Sequence, residues 1–414
     1  MISTISSSPI LLRISLGALK VLARSRSPFL NPDHNPILHF LLKKTVYAQF
    51  CAGETATEVR ETIARLKNMG YRGVMLCYAR EVVMDRDAAK SLTEAHETSR
   101  DKVLADKEIE SWAQGTTATV QMAPAGDFVS VKFTGAGRQA LRHLTLRKAP
   151  APRLEKAITE ICEVAKTRGV RLLFDAEQDA VQPGIDDWTI DFMRRYNHDG
   201  RAMVYGTYQA YKKAAPEVLA KHMECARGEG FVLGVKLVRG AYLGSDPRNL
   251  FWDTVEETHS CYDGIAASLM RRSYNETLRP TSTSLGGFPA VDLILAGHNG
   301  ESVNKAQEIR NSQVVSGQPR IDLAYGQLMG MAENISCGLV HTGRAARSMG
   351  REHATDVPAA YQYVVWGSVG ECSQYLVRRA EENKDAVSRT MDAKRALGQE
   401  LLRRLGLVRL PLKL

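Results

Sequence analysis

The sequence has no long hydrophobic run, few aromatic residues and no closely spaced pair of cysteines. Charged residues interrupt its apolar stretches within about ten residues, whereas a membrane-spanning helix needs about 20, so we expect no transmembrane helix. Aromatic residues make up 7% of the chain, which leaves little material for a nucleic-acid site built from stacked rings. The seven cysteines are scattered, without a Cys-x-x-Cys spacing. This pattern is typical of a reducing compartment and predicts neither disulfides nor a metal site.

The composition is that of a globular protein with a basic balance. The chain has 414 residues, of which 44% are hydrophobic and 24% charged, and this length suits one large domain or two. Lysine and arginine number 55 against 46 aspartate and glutamate, which gives a formal charge of +9. Such a chain suits anions, including phosphates, anionic lipids or a carboxylate substrate. Alternatively, the excess comes from a basic targeting segment on a near-neutral enzyme.

Residues 1–50 differ from the rest of the chain. They are rich in serine and contain six lysines and arginines, with Asp33 as the first acidic residue. An acid-poor, amphipathic start of this kind resembles a mitochondrial transit sequence, and a basic helix packed on the domain fits equally well. Residues 32–44, with a Leu-His-Phe-Leu-Leu core, suit packing better than removal.

Eight short apolar runs alternate with helical patterns from residue 54 onward. Short apolar runs flanked by helices are typical of parallel strands buried on both faces. Eight such units favour a closed (β/α)8 TIM-like barrel over an open doubly wound sheet. We therefore predict an N-terminal extension over 1–50, a barrel over 51–390 and a C-terminal helical tail over 391–414. The predicted strands are 73–79, 128–133, 171–175, 203–208, 232–238, 291–296, 320–325 and 361–366.

Residues 135–140 fit the Gly-x-Gly-x-x-Ala pattern that opens a dinucleotide-binding unit. The acidic residue expected about 20 positions later at the tip of a second strand is missing. A position in the middle of the chain and eight units instead of six also oppose this reading. We therefore reject a Rossmann fold.

Polar residues gather where the predicted strands end. In (β/α)8 barrels the catalytic groups collect at the carboxyl ends of the strands, and a charge within an apolar strand is costly unless it is paired or faces a ligand. For any single residue a rim ion pair is the simpler explanation, but five consecutive strands share the feature. The residues are Lys132, Asp175, Glu177, Tyr208, Gln209, Lys236, Arg239, Tyr242, His298 and Asn299.

The last predicted helix places Tyr375, Arg378, Arg379 and Glu382 on one face, at positions i, i+3, i+4 and i+7. Two adjacent guanidinium groups beside a phenol suit a bidentate clamp on a small carboxylate. The alternative is a solvated helix face with an internal Arg–Glu pair.

Motifs along the chain resemble those of the eukaryotic proline dehydrogenase family, most of all its fungal mitochondrial members. The resemblance runs from about Tyr47 to Asn383. Each motif alone is weak, but the ordered set across six barrel strands and a helix is highly specific. The motifs are Gln49-Phe-Cys-Ala-Gly-Glu54, Val131-Lys-Phe-Thr134, Phe174-Asp-Ala-Glu177, Tyr208-Gln-Ala-Tyr211, Lys236-Leu-Val-Arg-Gly-Ala-Tyr242, Gly297-His-Asn299, Gly326-Gln-Leu-Met-Gly-Met331 and Tyr375-Leu-Val-Arg-Arg379.

The resemblance implies an FAD enzyme that oxidises L-proline to Δ1-pyrroline-5-carboxylate and passes the electrons to a quinone. It also implies peripheral attachment to the matrix side of the inner mitochondrial membrane, with no metal and no nucleic-acid partner. In the family, equivalent residues surround the substrate: Lys132, Arg378 and Arg379 at its carboxylate, Asp175 at its amine, and Tyr242, Leu328, Tyr363 and Tyr375 around its ring. The implied FAD contacts are Gln209, Lys236, Val238, Arg239, Gly240, His298 and Asn299.

Three positions depart from the family pattern. Val255 stands where lysine is usual, His259 where aspartate is usual, and Gly300 where a basic residue is usual. These departures concern contacts to the cofactor, and none removes an implied substrate contact.

Two other functions stay open from the residues. A Schiff-base aldolase using Lys132 or Lys236 would explain a lysine on a strand, although not the arginine pair. A non-enzymatic binder of nucleic acid or membrane would use the positive charge, but the basic residues are dispersed and no nucleic-acid motif is present.

Overall fold

The chain forms two compact units in a computed structural model. One unit is Ala56–Val364, and the other combines Met1–Thr55 with Val365–Leu414. The structure describes residues 29–80, 99–281, 286–348 and 355–385, together with positions 17, 19–22 and 27. Within these ranges no helix is both long and apolar enough to cross a membrane.

Eight parallel strands, β2 to β9, close into a barrel. They pair in chain order, and β9 completes the circle by pairing with β8 and lying next to β2. A short strand, β1, pairs with the end of β9 through Cys51 and Val365. The strands are β1 Cys51–Gly53, β2 Gly73–Tyr78, β3 Phe128–Val131, β4 Arg171–Phe174, β5 Val204–Gln209, β6 Leu233–Val238, β7 Val291–Ala296, β8 Leu323–Leu328 and β9 Ala359–Trp366.

Helices follow the strands, as a parallel sheet requires of its connections. A π-helical turn, Lys43–Tyr47, joins the first two helices, and a 3-10 turn, Phe133–Ala136, follows β3. The helices are α1 Pro36–Leu42, α2 Ala48–Phe50, α3 Ala56–Asn68, α4 Ser99–Met122, α5 Arg138–Thr145, α6 Pro152–Arg168, α7 Gln182–Tyr196, α8 Ala215–Glu229, α9 Val255–Arg271, α10 Gly300–Val315, α11 Glu333–Ser348 and α12 Val369–Asp385.

Local sequence signals explain where several helices begin and end. Helix α6 begins at a proline and ends before Gly169, which adopts the left-handed conformation with φ of 64°. Helix α9 begins with a capping box in which Thr254 and Glu257 bond to each other's backbone. These caps satisfy amide and carbonyl groups that lack partners within the helix.

The barrel interior is packed with large side chains. Phe128 lies edge-on to Tyr205 and Tyr361, with ring centroids 5.7 Å and 5.0 Å apart. Met75 and Ile294 belong to the same buried cluster. Because side chains alternate along a strand, the inward position after Phe128 on β3 is Ser130, and the one after Tyr361 on β9 is Tyr363. The interior therefore changes from apolar to polar toward the carboxyl ends of the strands.

The predicted (β/α)8 barrel is confirmed, and the boundaries of several strands differ from the prediction by one to three residues. The run 128–133 ends as a strand at Val131, since Phe133 begins the 3-10 turn. The run 320–325 forms its strand three residues later, as β8, because Asp322 is half-exposed and pairs with Arg171 and Arg201.

The glycine-rich residues 135–140 have a role in packing. Gly137 has φ of 96°, and a Cβ there would lie 2.1 Å from the Glu108 carboxylate.

The unit boundaries differ from the predicted domains. Helix α12, which the sequence assigns to the barrel, belongs to the same unit as the N-terminal segment. Asp33 accepts hydrogen bonds from Ser368 Oγ and Gly370 N, both at 2.8 Å, and Glu54 accepts one from Val369 N at 3.1 Å. Two carboxylates from the N-terminal segment thus cap this helix. The predicted tail 391–414 and most of the transit-like start lie outside the described residues.

Candidate active site

Asp175 lies at the centre of a polar cluster inside the barrel, directly after β4. Its Oδ1 accepts hydrogen bonds from Lys236 Nζ at 2.5 Å and from Ser130 Oγ at 3.3 Å. Its Oδ2 accepts one from the Tyr363 hydroxyl at 2.9 Å. The donors come from β3, β6 and β9, so closure of the barrel is what brings them together. The structure thus joins three of the residues expected from the sequence and adds Ser130.

The cluster combines a buried ion pair with a protonated phenol. The side chains of Asp175 and Lys236 are 8% and 7% exposed, and a buried charge of this kind is tolerated only when it is paired. Burial, and then the charge of Asp175, raise the pKa of Tyr363 well above its ordinary value. Tyr363 therefore stays a hydrogen-bond donor at neutral pH, and Lys236 Nζ lies 5.1 Å from its ring centroid.

A second buried carboxylate, Glu177, organises the neighbouring loop. Its Oε1 accepts a hydrogen bond from Thr134 N at 3.1 Å, and its Oε2 accepts one from the Thr134 hydroxyl. Gln209 Nε2 donates to the Glu177 carbonyl at 3.4 Å, and Tyr211 donates to Gln209 Oε1 at 3.1 Å. The Tyr211 oxygen also accepts from Tyr242 N at 3.1 Å. This chain of contacts connects the ends of β3, β4, β5 and β6.

Lys132 and Leu328 are half-buried at the ends of β3 and β8. The backbone of Lys132 is held by Trp112, whose indole donates to the lysine carbonyl at 2.9 Å. The Leu328 amide donates to His298 Nε2 at 3.1 Å. Both positions are therefore fixed by neighbouring side chains.

Arg239, just after β6, is held by a separate group of residues. Its Nε donates to His259 Nδ1 at 3.0 Å and its Nη2 donates to Ser302 Oγ at 2.8 Å. Its guanidinium lies 4.2 Å from the ring centroid of Tyr262. Burial, and then the charge of Arg239, lower the pKa of His259, which agrees with an unprotonated Nδ1. Neutral His259 thus orients Arg239 without neutralising its charge.

Asn299 caps helix α10 beside this arginine. Its Oδ1 accepts a hydrogen bond from Ser302 N at 3.0 Å. A small cavity is enclosed by Arg239, Tyr262, Leu295, Gly297, Asn299, Ser302 and Val303. A helix N-terminus and a guanidinium at one cavity form an environment that favours an anion.

Two of the expected cofactor contacts, Val238 and Gly240, also have structural roles. The Val238 carbonyl accepts a hydrogen bond from Ala210 N at 2.8 Å, which extends the pairing of β5 and β6. Gly240 has φ of 140°, and a Cβ there would lie 2.3 Å from the Tyr211 ring. The conformation and the close approach of Tyr211 both require glycine.

Helix α12, in the other unit, carries the predicted arginine pair. Tyr375 and Arg379 are buried, and the Arg379 guanidinium lies 5.0 Å from the Tyr375 ring centroid. This contact is the one expected if Tyr375 and Arg379 lie on the same face of the helix. Arg378 is half-exposed, and the side chain of Glu382 is outside the described part of the chain.

A comparison with protein families decides the assignment of the chain. The sequence profile described as "Proline dehydrogenase" matches residues 59–392. The chain belongs to the proline dehydrogenase family. The expectation of a proline dehydrogenase oxidoreductase is thereby confirmed.

Relatives of two kinds match this family member over most of its length. A protein named probable proline dehydrogenase, mitochondrial, from Schizosaccharomyces pombe is 28% identical over 95% of this chain and 85% of its own. A protein named hydroxyproline dehydrogenase from Bos taurus is 28% identical over 88% of this chain and 82% of its own. These two relatives, named for different substrates, have the same percentage identity to the chain.

The fold of this proline dehydrogenase family member also matches a solved structure. Proline utilization A from Bdellovibrio bacteriovorus matches with a TM-score of 0.66 and 16% identity. The match covers 92% of this chain and 37% of that protein, so the chain spans about a third of its length. At this identity the likeness shows the barrel fold alone.

Sequence reasoning missed the supporting residues of both clusters. Ser130 could have been found, because it lies two positions after Phe128 and therefore faces the same side of β3. Ser302 and Tyr262 could not, since both lie on helices and their contacts with Arg239 depend on how α9 and α10 pack beside β6.

Proposed function

We propose that the protein is an FAD-dependent enzyme that oxidises L-proline to Δ1-pyrroline-5-carboxylate and passes the electrons to a quinone. The observation that carries this proposal is the cluster of Asp175, Lys236 and Tyr363 inside the barrel, where the carboxyl ends of the strands gather. Active sites of (β/α)8 enzymes lie at this end. An acid that is oriented by three side-chain donors is suited to hold a secondary amine.

The residues around Arg239 fit the diphosphate of FAD. The proline dehydrogenase family is generally flavin-dependent. Arg239 and the first turn of α10 offer a cation and backbone amides at one cavity, and both are donors that phosphate prefers. Gly300 lacks the basic side chain of the family, and we propose that Arg239 supplies the charge here. Gln209, Lys236, Val238, Gly240, His298 and Asn299 complete the proposed FAD contacts.

When bound, FAD would supply the hydride acceptor, and the protein supplies the orientation. We assign the substrate amine to Asp175, whose two oxygens are fixed by Lys236, Ser130 and Tyr363. Holding the substrate carbon in line with its acceptor converts a difficult step into one that resembles an intramolecular reaction. We assign a further role, the exclusion of water from around the substrate ring, to Tyr242, Leu328, Tyr363 and Tyr375.

We assign the substrate carboxylate to Lys132, Arg378 and Arg379. The assignment rests on their charge and on the family resemblance. Guanidinium groups bind carboxylates through two parallel hydrogen bonds. The buried position of Arg379 suits a charge-assisted bond that water does not screen.

We further propose that proline is preferred over 4-hydroxyproline. The two relatives named for different substrates are each 28% identical to the chain, so overall identity does not decide between the substrates and single residues must. Tyr363 is such a residue, because its phenol donates to Asp175 and occupies the barrel interior. An added substrate hydroxyl would clash with the phenol or be buried without good partners, at a cost of about 1–3 kcal/mol.

A Schiff-base aldolase is the second candidate, and Lys236 argues against it. A Schiff base needs a neutral amine, which a hydrophobic or cationic surrounding favours. Lys236 Nζ instead lies 2.5 Å from the Asp175 carboxylate, so its surrounding is neither hydrophobic nor cationic.

For location, we propose the matrix side of the inner mitochondrial membrane with peripheral attachment. The basic, acid-poor N-terminal residues support a mitochondrial destination, and the fungal relative carries this location in its name. We retain the division into an extension over 1–50, a catalytic part over 51–390 and a tail over 391–414 as a functional proposal.

Anaerobic spectroscopy of the purified protein tests the proposal. We expect a yellow protein whose flavin absorbance bleaches on addition of L-proline and returns on addition of a soluble quinone. Borohydride in the presence of substrate should leave no covalent adduct on Lys132 or Lys236. A colourless protein that does not take up FAD, or a borohydride-trapped lysine, would contradict the proposal.

A further inference from the structure

The N-terminal helical segment that begins with α1 turns apolar side chains toward solvent. Ile37, Phe40 and Leu41 are 73%, 62% and 54% exposed, and their spacing places them on one helix face. Phe29 is 82% exposed, and its carbonyl accepts a hydrogen bond at 2.8 Å from Asn35, the residue that caps α1. We call Phe29, Ile37, Phe40 and Leu41 the apolar stripe.

Two basic residues of the same segment, Lys43 and His39, are directed to Glu54. Lys43 Nζ lies 2.6 Å from Glu54 Oε2, and His39 Nε2 lies 3.0 Å from the same oxygen. The Glu54 side chain is 14% exposed, and its other oxygen accepts from the amide of Val369. A surface helix normally buries its apolar face and exposes its polar one. Here three apolar side chains of α1 face solvent, and the contacts of Lys43 and His39 to Glu54 hold the helix in this orientation.

The composition of the N-terminal sequence and the position of Lys44 indicate what covers the apolar stripe. In sequence, residues 1–50 contain six lysines and arginines and one acidic residue, Asp33. Lys44 is exposed and follows Leu41 by three positions, on the same face. Apolar side chains among cations are typical of helices that lie in the interface of an anionic bilayer. A second copy of this chain would bring an equally positive segment, which opposes self-association through this face.

We propose that the apolar stripe enters the interfacial layer of an anionic lipid bilayer, with Lys44 at the level of the headgroups. The proposal rests on the peripheral membrane attachment proposed above and names the surface responsible. The phenylalanines and aliphatic side chains lose contact with water, and the lysine gains attraction to anionic headgroups. Both effects are needed, so binding should depend on lipid charge as well as on the apolar side chains.

Vesicle flotation of the purified full-length protein tests this surface. Two vesicle compositions are compared: phosphatidylcholine alone, and phosphatidylcholine with phosphatidylglycerol. We expect the protein to float with the anionic vesicles and much less with the neutral ones. A triple variant, Ile37→Ser with Phe40→Ser and Leu41→Ser, should lower partitioning to anionic vesicles about a hundredfold. The matched control is Val315→Ser, which removes an 83% exposed valine from the end of α10 and should leave partitioning unchanged.

Three results would overturn the proposal: a wild-type protein that stays with the aqueous fraction, a triple variant that floats like the wild type, or equal flotation of the triple variant and the Val315→Ser control. A change of oligomeric state in the triple variant without a change in flotation would assign the stripe to contacts between copies instead. Turnover of proline with a soluble dye acceptor is measured on the same samples. Retained turnover with lost flotation supports the proposal, whereas absent turnover with normal flotation would contradict the catalytic function and not the membrane surface.

Discussion

Strand β4 carries a buried charge at each end, and the two ends of the barrel hold these charges in different ways. At the amino end, Arg171 donates to Asp322 and to the Gly126 carbonyl, both at 2.9 Å, and its guanidinium lies 3.7 Å from the centroid of Phe128. At the carboxyl end, the residue after the strand is Asp175. The described partners of its carboxylate are the side chains of Ser130, Lys236 and Tyr363.

Strand β9 repeats the contrast with two tyrosines. The Tyr361 hydroxyl accepts from Arg171 and donates to the Gly126 carbonyl, both at 3.3 Å. The Tyr363 hydroxyl, two positions later, donates to Asp175 at 2.9 Å. Backbone groups and an aromatic ring lock the amino end, whereas side-chain donors surround an acid at the carboxyl end. In barrels of this class the amino end serves stability and the carboxyl end serves catalysis, so the two tyrosines and the two charges make a matched test.

The largest effect is expected from Asp175→Asn. The variant keeps the size of the side chain but removes the negative charge to which we assign the substrate amine. We expect kcat/KM for proline to fall about 10²–10⁴-fold, the range typical of lost acid–base and electrostatic assistance. Steady-state kinetics with flavin content measured in parallel checks this. The matched control at the amino end, Asp322→Asn, should keep kcat/KM, and equal losses in both variants would remove the distinction between the two ends.

The next effect concerns the proposed carboxylate clamp on α12. If the assignment is right, replacing Arg378 or Arg379 with methionine removes a charge-assisted bond to the substrate carboxylate, which is worth about 2–4 kcal/mol or roughly thirty- to several-hundred-fold in kcat/KM. We expect the loss to appear mainly in KM while flavin content stays nearly unchanged. Unaltered kinetics in both variants would assign the pair to a structural helix face.

The amino end should respond in stability instead of activity. Arg171→Met leaves Asp322 without one of its partners and removes the contact over Phe128, so we expect the free energy of unfolding to fall by about 2–3 kcal/mol. Denaturant unfolding measures this, and kcat/KM per folded molecule should stay within a factor of about two. The control Lys213→Met breaks an exposed pair with Asp253 and should cost less than about 1 kcal/mol. A large loss of kcat/KM in Arg171→Met would contradict the division.

The two ends also differ in how far the sequence predicts them. Alternation along strands and the position of Asp175 after an apolar run identify the carboxyl end as the site, because these features are local. The partners of Asp175 depend on strand register around the closed barrel, which pairs residues up to 188 positions apart and has no local signal. The sequence pattern misses the end of β8 for a different reason: Gln327 is a polar residue buried within the strand, so a search for apolar runs ends before it.

The smallest effect, and the one that distinguishes the two tyrosines, is a change in substrate preference. Tyr363→Ser opens space beside Asp175 and offers a small hydroxyl in place of the phenol. We expect weaker use of proline and relatively better use of 4-hydroxyproline, with a change in their ratio of kcat/KM equivalent to about 1–3 kcal/mol.

Tyr361→Phe is the matched change at the amino end. It deletes the hydroxyl that bonds to Arg171 and Gly126, so it should cost about 1 kcal/mol of stability and leave the substrate ratio unchanged. Competition assays with both substrates, on both variants, measure the ratio directly. If Tyr363→Ser weakens both substrates equally, Tyr363 only fills the barrel as Tyr361 does, and the carboxyl end selects its substrate through other residues. If the wild type already prefers 4-hydroxyproline, the phenol does not exclude the hydroxyl, and the geometry beside Asp175 must admit it.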